Sequence, residues 1–436
     1  LCVTGVQTCA LPISVVADGE LRFHSPAGGN GREVVVRADV PAELRVDRRG
    51  PHVSLVWHTL LQPGATWETL LTVTVVLGGT PLVPRFSPDA STPAEHRTRL
   101  ASWRQLLPEV RTDDEGLADA VRRAGDDLGA LRIFDPDHPD VPIVAAGAPW
   151  FMTVFGRDSL ITAGMTLLAD STLARGVLET LARFQGTDVD PRTEEEPGRI
   201  LHEIRFGGAS GLTLGGGDIY YGSIDSTPLF VVLLAELRRW DHRDDLVDRL
   251  LPHADRALAW IDEFGDRDGD GFVEYQQATP SGLANQGWKD SWDAVRHADG
   301  ELAQGPIALC EVQAYVYGAY VARAHLAHEA GDTATHDRYR RRAAELRRRF
   351  DEAFWVDRLG GYAMALDGDK RPVEVLSSNM GHCLWLGFVE PEKAASVADR
   401  LLSPALFSGW GIRTLGADER AFNPVSYHNG SVWPHD

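Results

Sequence analysis

The chain has little lysine, little cysteine and no long apolar run, and each shortage excludes a class of protein. Its only lysines are Lys289, Lys370 and Lys393, and 63 acidic residues against 43 lysines and arginines give a net charge of -20 at pH 7. Nucleic acids and anionic lipid surfaces attract positive charge, so we expect neither as a partner. No apolar segment approaches the roughly 20 residues that a helix needs to cross a membrane.

The few cysteines follow no metal-binding spacing. Cys2 and Cys9 lie in a segment excluded below, whereas Cys310 and Cys383 stand singly in helical stretches. We expect these two to be buried free thiols in a reducing cytoplasm, where we place the protein. There is also no zinc pattern, no phosphate-binding glycine loop and no Gly-x-Ser-x-Gly elbow, so nucleophilic serine chemistry is not supported.

Both ends of the chain are unusual. Residues 1–13 resemble the translation of a sequencing adapter, and we exclude them from arguments about the fold. A signal peptide is not indicated, because this segment lacks a basic start and a sustained apolar run. Asp436 ends the chain with neither a helix C-cap nor a polar tail, so we expect a fragment that is incomplete at its C-terminus.

The first part of the chain has the pattern of β-strands. From Leu21 to about Val83, apolar and polar residues alternate in short runs separated by proline, glycine and aspartate. This pattern predicts an antiparallel β-sandwich domain over residues 14–95. We expect residues 96–112 to be a linker.

From residue 113 onward, apolar residues recur three and four apart, which predicts helices. The helices are expected to pair as hairpins, and they lie at about 113–131, 157–169, 173–186, 225–240, 244–264, 305–330, 334–354, 376–387 and 391–403. Two long loops rich in glycine or tryptophan, 187–224 and 265–304, separate hairpins. Loops of this length in a compact domain are usually functional.

The loop segment 285–293, with the sequence NQGWKDSWD, combines residues suited to a sugar site. Indole faces such as that of Trp288 stack on a pyranose, and the Gln286 amide and Lys289 ammonium can hydrogen-bond its hydroxyls. A carboxyl partly desolvated between indoles has a raised pKa and can act as a general acid. The alternative is a tight loop whose aspartates cap helices and whose tryptophans belong to the core.

Four ordered motifs resemble those of the six-hairpin glycosidases, and in particular bacterial glycogen-debranching, amylo-α-1,6-glucosidase-like proteins, which also have an N-terminal β domain. The motifs are WFMTVFGRDS at 150–159, YYGSIDSTP at 220–228, NQGWKDSWD at 285–293 and YHNGSVWPHD at 427–436. The resemblance implies an α+β multidomain chain in which an (α/α)6 toroid, truncated at its C-terminus, occupies residues 113–436. Its site would lie where the loops before the inner helices converge.

The resemblance also implies which carboxyls are catalytic. Asp290 occupies the Trp-x-Asp position of the family and is the expected general acid of an inverting mechanism. Asp293 is its rival, because a spacing of three can place both on one helical face, although it could also cap a turn. The expected base is a glutamate beyond residue 436, and Glu203, in a segment that lines the site in the family, is the alternative within the chain.

Further substrate contacts are expected at the entries to inner helices. The planar guanidinium of Arg157 donates hydrogen bonds and the adjacent carboxylate of Asp158 only accepts them, so the pair is suited to sugar hydroxyls. In glucoamylase-like relatives the matching pair holds the terminal glucose. The alternative for Asp158 is a carboxylate that only stabilises the helix dipole. Asp225 is a candidate ligand, unless it or a neighbour merely caps its helix. The remaining candidates are Trp150, Phe151, Tyr221, Trp433 and His435.

An acidic loop precedes the catalytic motif. Asp266, Asp268 and Asp270 have the spacing that begins a calcium loop, with Glu274 at the ninth position. Gln277 stands at the twelfth position, where an EF-hand has a bidentate glutamate. The segment is therefore either a structural calcium site or a simple Gly/Asp turn, and no cofactor is required for the expected chemistry.

The expected function is hydrolysis of an α-glucan or a small α-glucoside, with α-1,6 branch glucose as the first candidate. A trehalase, a glucoamylase and a glucosylglycerate or mannosylglycerate hydrolase are alternatives within the same fold class. A non-catalytic carbohydrate-binding protein is the alternative from a different class. A phosphorolytic relative is disfavoured, because the sequence offers no cationic pocket for the attacking phosphate.

Overall fold

A computed structural model describes the chain in nine stretches: 13–16, 20–24, 32–46, 53–77, 79–82, 95–135, 138–205, 218–241 and 245–433. The described residues form two compact units, one up to Ser102 and the other from Trp103 onward. Residues 1–12 of the suspected adapter segment lie outside the described residues.

The described part of the first unit consists mainly of β-strands. These are β1 (Ile13–Val16), β2 (Glu20–His24), β3 (Arg32–Ala38), β4 (Glu43–Val46), β5 (Val53–Val56), β6 (Leu71–Leu77) and β7 (Thr80–Leu82). An antiparallel sheet has the order β1-β2-β3-β6-β7, and β4 pairs with β5 separately. The predicted antiparallel strands are confirmed, whereas their arrangement as a sandwich stays a prediction.

The alternation in the sequence gives the five-stranded sheet two different faces. Val35 on β3 lies opposite Thr74 on β6, so it shares a face with Val76, and both valines are buried. Val73 and Val75 point to the other face and are exposed. Exposure along β6 therefore alternates with the period of two, although Leu21 on β2, which shares the face of Val73, is buried as well.

Helices dominate the rest of the described chain. They are α1 (Glu95–Leu106), α2 (Glu115–Leu131), α3 (Gly156–Thr166), α4 (Thr172–Arg183), α5 (Ser226–Trp240), α6 (Asp245–Trp260), α7 (Cys310–Glu329), α8 (Thr333–Phe354), α9 (Asn379–Trp385) and α10 (Pro391–Leu401). Helices α2 to α10 confirm the predicted ones apart from their end residues, and α1 lies largely in the segment predicted as a linker. None of the described helices is long and apolar enough to span a membrane.

Short strands connect the helices. They are β8 (Arg132–Asp135), β9 (His138–Val144), β10 (Val154–Phe155), β11 (Glu203–Ile204), β12 (Ile219–Tyr220), β13 (Ala308–Leu309), β14 (Trp355–Val356), β15 (Gly361–Tyr362) and β16 (Ala365–Leu366). Strand β11 pairs with both β10 and β12, which precede α3 and α5. This small sheet fixes the entries of two helices against each other.

The helices of the second unit pack as successive hairpins. Helices α3, α5, α7 and α9 contact one another in that order, and each packs against the helix that follows it in the chain. Helices α5 and α7 bury side chains on all sides, because apolar residues occupy every face. Four hairpins alternate between an inner and an outer helix, whereas closure into a twelve-helix toroid stays a prediction.

Helix α8 has the pattern of an outer helix. Its buried residues Tyr339, Ala343, Leu346 and Phe350 recur four, three and four apart, which is one stripe of an α-helix. Arginines such as Arg348 cover its exposed face. The contrast with α7 follows from the sequence and determines which helix of this hairpin lies inside.

Candidate active site

Four charged side chains from three segments meet at the N-terminal ends of α3 and α5. Arg157, in the first turn of α3, donates from Nη1 to Asp225 Oδ2 at 3.0 Å and Oδ1 at 3.3 Å. Its Nη2 lies 3.6 Å from Asp290 Oδ2, and its Nε lies 4.0 Å from Asp158 Oδ2. The structure thus brings together four residues that the sequence nominated separately, which we call the Arg157 cluster.

The Arg157 cluster has more negative than positive groups. Arg157 is 8% exposed and Asp225 is fully buried. Burial opposes the guanidinium charge, but Asp225, Asp158 and Asp290 outweigh this effect and raise the pKa of Arg157. Because three carboxyls share one cation, the cluster favours the neutral form of the carboxyls that are less well paired.

A glycine allows the start of α3 to approach α5. A Cβ atom on Gly156 would lie 2.1 Å from the carbonyl oxygen of Leu201 and 2.8 Å from Ser226 Oγ. The Gly156 N–H donates to the carbonyl of His202 at 2.9 Å. A side chain at this position would therefore push apart the two helix entries that carry Arg157 and Asp225.

Asp225 occupies the N-cap position of α5 without capping the helix. Its side chain makes no hydrogen bond to a helical N–H. It accepts instead from Ser223 Oγ at 2.6 Å and from Arg157. The interpretation of Asp225 as only a cap is therefore wrong, and its role as a substrate ligand stays a prediction.

The Asp290 carboxyl is paired less tightly than that of Asp225. Its side chain is 27% exposed, and its contact with Arg157 is longer than that of Asp225. Burial raises the pKa of Asp290 from 3.8 to about 6, Arg157 lowers it in part, and Asp158 and Asp225 add to the rise. A carboxyl that holds its proton at mildly acidic pH is suited to general acid catalysis.

Asp290→Asn is expected to increase stability at neutral pH. Because the pKa of Asp290 rises from 3.8 to about 6 on folding, the folded chain binds this proton more tightly, so the carboxyl costs stability as pH rises between these values. The cost above the folded pKa is at most about 3 kcal/mol, and it disappears below about pH 4. Urea unfolding of both proteins across this range measures the difference. A variant no more stable than wild type at pH 7 would contradict the raised pKa.

Hydrogen bonds fix the loop on both sides of Asp290. Lys289 donates from Nζ to the carbonyl of Thr414. Ser291 contacts His428 Nδ1 through its Oγ at 2.7 Å and its backbone N–H at 3.3 Å. Lys289 was expected to bind sugar hydroxyls, but it is 3% exposed and bonded to the backbone, so the structure does not support that expectation.

Gln286 also faces the protein interior. It is 1% exposed and lies between Arg199, whose Nη2 donates to its Oε1 at 2.8 Å, and Glu194, which accepts from its Nε2. Its backbone carbonyl accepts from the Ile224 N–H at 2.9 Å. The amide therefore joins three loops internally and is not in position to reach a sugar, contrary to the prediction.

Two further candidates have internal partners. Tyr221 is 5% exposed and donates from its hydroxyl to the carbonyl of Phe184 at 2.9 Å. Glu203 is 2% exposed and accepts from Arg205 Nε at 3.0 Å. These contacts hold the segments around the helix entries and do not place either side chain in the Arg157 cluster.

Asp293 has a hydrogen-bond partner outside the Arg157 cluster. Its Oδ2 accepts from Asn429 Nδ2 at 3.2 Å, and the same amide donates to its backbone carbonyl at 3.1 Å. This pair joins the end of the loop to the segment at 427–433. The contacts favour a structural role for Asp293 over the role of rival acid.

An aromatic cluster lies beside Asp290. Trp433 stacks on His428 with ring centroids 5.3 Å apart, and Trp288 contacts both rings edge-on at 5.7 and 6.3 Å. His428 Nδ1 lies 4.0 Å from Asp290 Oδ1. Tyr427, 55% exposed, packs edge-on against Trp433 at 5.0 Å. Burial, followed by the charges of Asp290 and Asp158, raises the pKa of Tyr427.

His428 and Tyr427 were not nominated as site residues from the sequence, although both lie in the motif at 427–436. That motif was the available signal. Trp150 and Phe151 are 78% and 41% exposed, as sugar platforms are, but their role stays a prediction. His435 lies outside the described residues.

Glu311, in the first turn of α7, was not predicted from the sequence to be a site residue. It is fully buried and accepts from Asn379 Nδ2, at the start of α9, at 3.0 Å. Burial raises the pKa of Glu311, while His382 and Asn379 lower it. The bond joins the next two inner helices at their N-terminal ends, and an acidic residue in the first turn of a predicted inner helix was the signal.

The predicted calcium ligands surround a lysine. Oxygens of Asp266, Asp268 and Asp270 lie within 4.8 Å of one another. Lys370 Nζ lies 2.7 Å from Asp268 Oδ2, 2.7 Å from Asp270 Oδ2 and 2.8 Å from Glu274 Oε2. The sequence pattern could not indicate this contact, because Lys370 is 96 residues beyond Glu274.

Comparisons with known proteins agree on the fold. Residues 159–435 match the family model described as the mannosylglycerate hydrolase MGH1-like glycoside hydrolase domain. The structure of a GH63 mannosylglycerate hydrolase from Thermus thermophilus is similar over 67% of this chain and 80% of its own, with a TM-score of 0.50 and 16% identity. The helical unit is thus structurally similar to the six-hairpin glycosidases.

A solved structure described as a sialidase is similar over 99% of this chain, with a TM-score of 0.53 and 11% identity. The chain spans 48% of the length of that protein. At these identities the likeness concerns the fold alone. No curated protein matches the sequence.

Proposed function

The chain belongs to the MGH1-like glycoside hydrolase family through a domain at residues 159–435, and on this premise we propose that it hydrolyses α-glucosidic bonds with inversion, using Asp290 as general acid. The observation that carries the proposal is the position of Asp290 in the Arg157 cluster, where burial raises its pKa to about 6. A protonated carboxyl beside an aromatic cluster can deliver its proton to a glycosidic oxygen.

The proposed reaction needs a second carboxylate. Asp290 would protonate the leaving oxygen while a base activates water on the opposite face of the sugar, about 6.5 to 9.5 Å from the acid. We propose that this base is a glutamate outside residues 1–436, as expected from the sequence. Glu203 is less suited, because it is almost completely buried and paired with Arg205.

The charge of the site favours an uncharged substrate. Even when Asp290 is protonated, Arg157 also lies against Asp158 and Asp225, so the cluster offers no surplus positive charge to an anionic group. A glucose unit at an α-1,6 branch carries no charge. We therefore propose branch glucose, or another neutral α-glucoside, as the first substrate class.

A second candidate substrate is mannosylglycerate or glucosylglycerate, and the name of the matching family model favours it. These substrates carry a glycerate carboxylate, which would need a cation outside the Arg157 cluster. The two candidate substrates therefore differ in their leaving groups: the leaving group is neutral for branch glucose and negatively charged for a glycerate substrate.

Sugar release from a panel of substrates tests the proposal. The full-length protein is incubated with branched dextrin, trehalose, glucosylglycerate and mannosylglycerate, and NMR follows the anomer formed first. We expect β-glucose from the branched dextrin, because inversion of an α bond gives the β anomer. Release only from a glycerate substrate would favour the second candidate, initial α anomer would contradict inversion, and no release from any substrate would contradict the proposed activity.

A further inference from the structure

Lys370 makes an unusually complete set of contacts with the acidic loop. An ammonium has three N–H donors. Its nitrogen lies 2.7, 2.7 and 2.8 Å from one oxygen each of Asp268, Asp270 and Glu274. Every donor of the lysine can therefore be paired with a different carboxylate, which is the environment that a bound cation would have.

The aspartates divide their oxygens between the loop and the lysine. Asp268 Oδ1 accepts from the Asp270 N–H at 3.1 Å, and Asp270 Oδ1 accepts from the Phe272 N–H at 2.8 Å. Their Oδ2 atoms contact Lys370. Asp266 accepts from two loop N–H groups, those of Gly269 and Gly271, both at 2.9 Å. The Oδ2 atoms of Asp268 and Asp270 therefore converge on the lysine nitrogen, whereas both oxygens of Asp266 hold the loop backbone.

Glu274 is the most buried carboxyl that contacts Lys370. It is 1% exposed, and its Oε1 is buried without a hydrogen-bond partner among the described residues. A buried carboxylate is costly unless it is paired. Lys370 also adopts a φ of +61°, a left-handed conformation that is unfavourable for a residue with a side chain. Its backbone is held there by the contacts of the side chain and the turn.

We propose that the ammonium of Lys370 takes the place of a divalent cation in this loop. The wild-type loop is then independent of calcium, because a cation from solution would have to displace a lysine that the chain holds in position. Removal of the side chain would leave the carboxylates of Asp268, Asp270 and Glu274 without their shared cation, and calcium, whose bonds to oxygen are about 2.3 to 2.6 Å long, is a cation that such oxygens bind.

Hydrogen bonds connect the acidic loop to the segment that leads to Asp290. Tyr275, next to Glu274, donates from its hydroxyl to Asn285 Oδ1 at 2.6 Å, and Asn285 Nδ2 donates to the carbonyl of Ser291 at 2.7 Å. Two hydrogen bonds therefore connect Tyr275, the neighbour of Glu274, to the loop around Asp290.

Lys370→Ala tests the proposal in the full chain. We expect the variant to unfold at a lower temperature than wild type in EGTA, by roughly 2 °C or more, and to recover when CaCl2 is added. Wild type should show no change in Tm between EGTA and CaCl2. Isothermal titration with CaCl2 should detect one site in Lys370→Ala and none in wild type.

Lys393→Ala is the matched control. Lys393 contacts the single carboxylate of Asp351, at 2.7 and 2.8 Å, so its removal deletes a lysine ion pair without exposing an acidic loop. We expect no calcium response from this variant. A Lys370→Ala protein that folds but neither loses stability nor binds calcium would overturn the proposal. If Lys370→Ala does not fold, the Tm of wild type with and without calcium decides. A rise with calcium that Asp268→Asn abolishes would overturn the proposal, and the absence of any rise would support it.

Discussion

Asp290→Asn should lower kcat on a natural α-glucoside by about 10²- to 10⁴-fold, the usual contribution of a general acid. The amide has a similar shape but no proton to deliver to the leaving oxygen. Since the pKa of Asp290 is raised to about 6, wild-type activity that depends on this acid should fall as pH rises through that value. Steady-state kinetics across this pH range measures both effects, and unchanged kcat in the variant would remove Asp290 from the reaction.

The leaving group distinguishes an acid from a residue that only binds substrate. The fluoride ion of a glucosyl fluoride leaves without needing protonation, so Asp290→Asn should lose much less activity on this substrate than on a natural one. An equal loss on both substrates would indicate that Asp290 acts in binding or folding. The fluoride thus separates the two roles within one variant.

Asp293→Asn is the matched control for this experiment. It removes a carboxylate from the same loop, three residues away, which the structure pairs with Asn429. We expect its loss of activity to be smaller and similar on both substrates. A large loss confined to the natural substrate would instead make Asp293 the acid.

Arg157→Met should destabilise the protein by about 3 to 5 kcal/mol, the usual effect of removing one partner of a buried ion pair. Asp225 is fully buried and would lose its two contacts with the guanidinium, at 3.0 and 3.3 Å. Methionine keeps much of the side-chain volume, so the effect reports mainly on charge. Chemical unfolding at pH 7 measures it.

A second substitution tests the cause of this loss. Arg157→Met with Asp225→Asn removes the unpaired charge, so the double variant should be more stable than Arg157→Met alone. Arg358→Met is the control, because Arg358 pairs with Glu374 at 2.9 Å on the surface and should contribute at most about 1 kcal/mol. Equal losses for Arg157→Met and Arg358→Met would contradict the importance of burial.

Much of the helical unit could be predicted because its periodicity is local. The stripe of Tyr339, Ala343, Leu346 and Phe350 is visible in the sequence and is buried in α8. The Arg157 cluster was predicted in part, because its members lie in motifs that resemble one family. Helix α1 was missed, because most of it lies in residues 96–112, which were expected to be a linker.

The direction of polar side chains could not be predicted. Lys289 was assigned to the sugar because it adjoins Asp290, but its partner is the carbonyl of Thr414, 125 residues away. Gln286 likewise faces Arg199 and Glu194. Such choices depend on which distant polar groups need a partner after packing, and one sequence does not contain that information in a local pattern.

The burial of α7 on all sides has a consequence for motion. A helix opens locally only if water can reach its amides without disturbing much packing, and α7 has buried residues along its whole length. Its amides should therefore exchange with solvent only in rare events that approach unfolding of the whole unit. The hydrogen bond between Glu311 and Asn379, which joins the N-terminal ends of α7 and α9, should therefore persist until such an event.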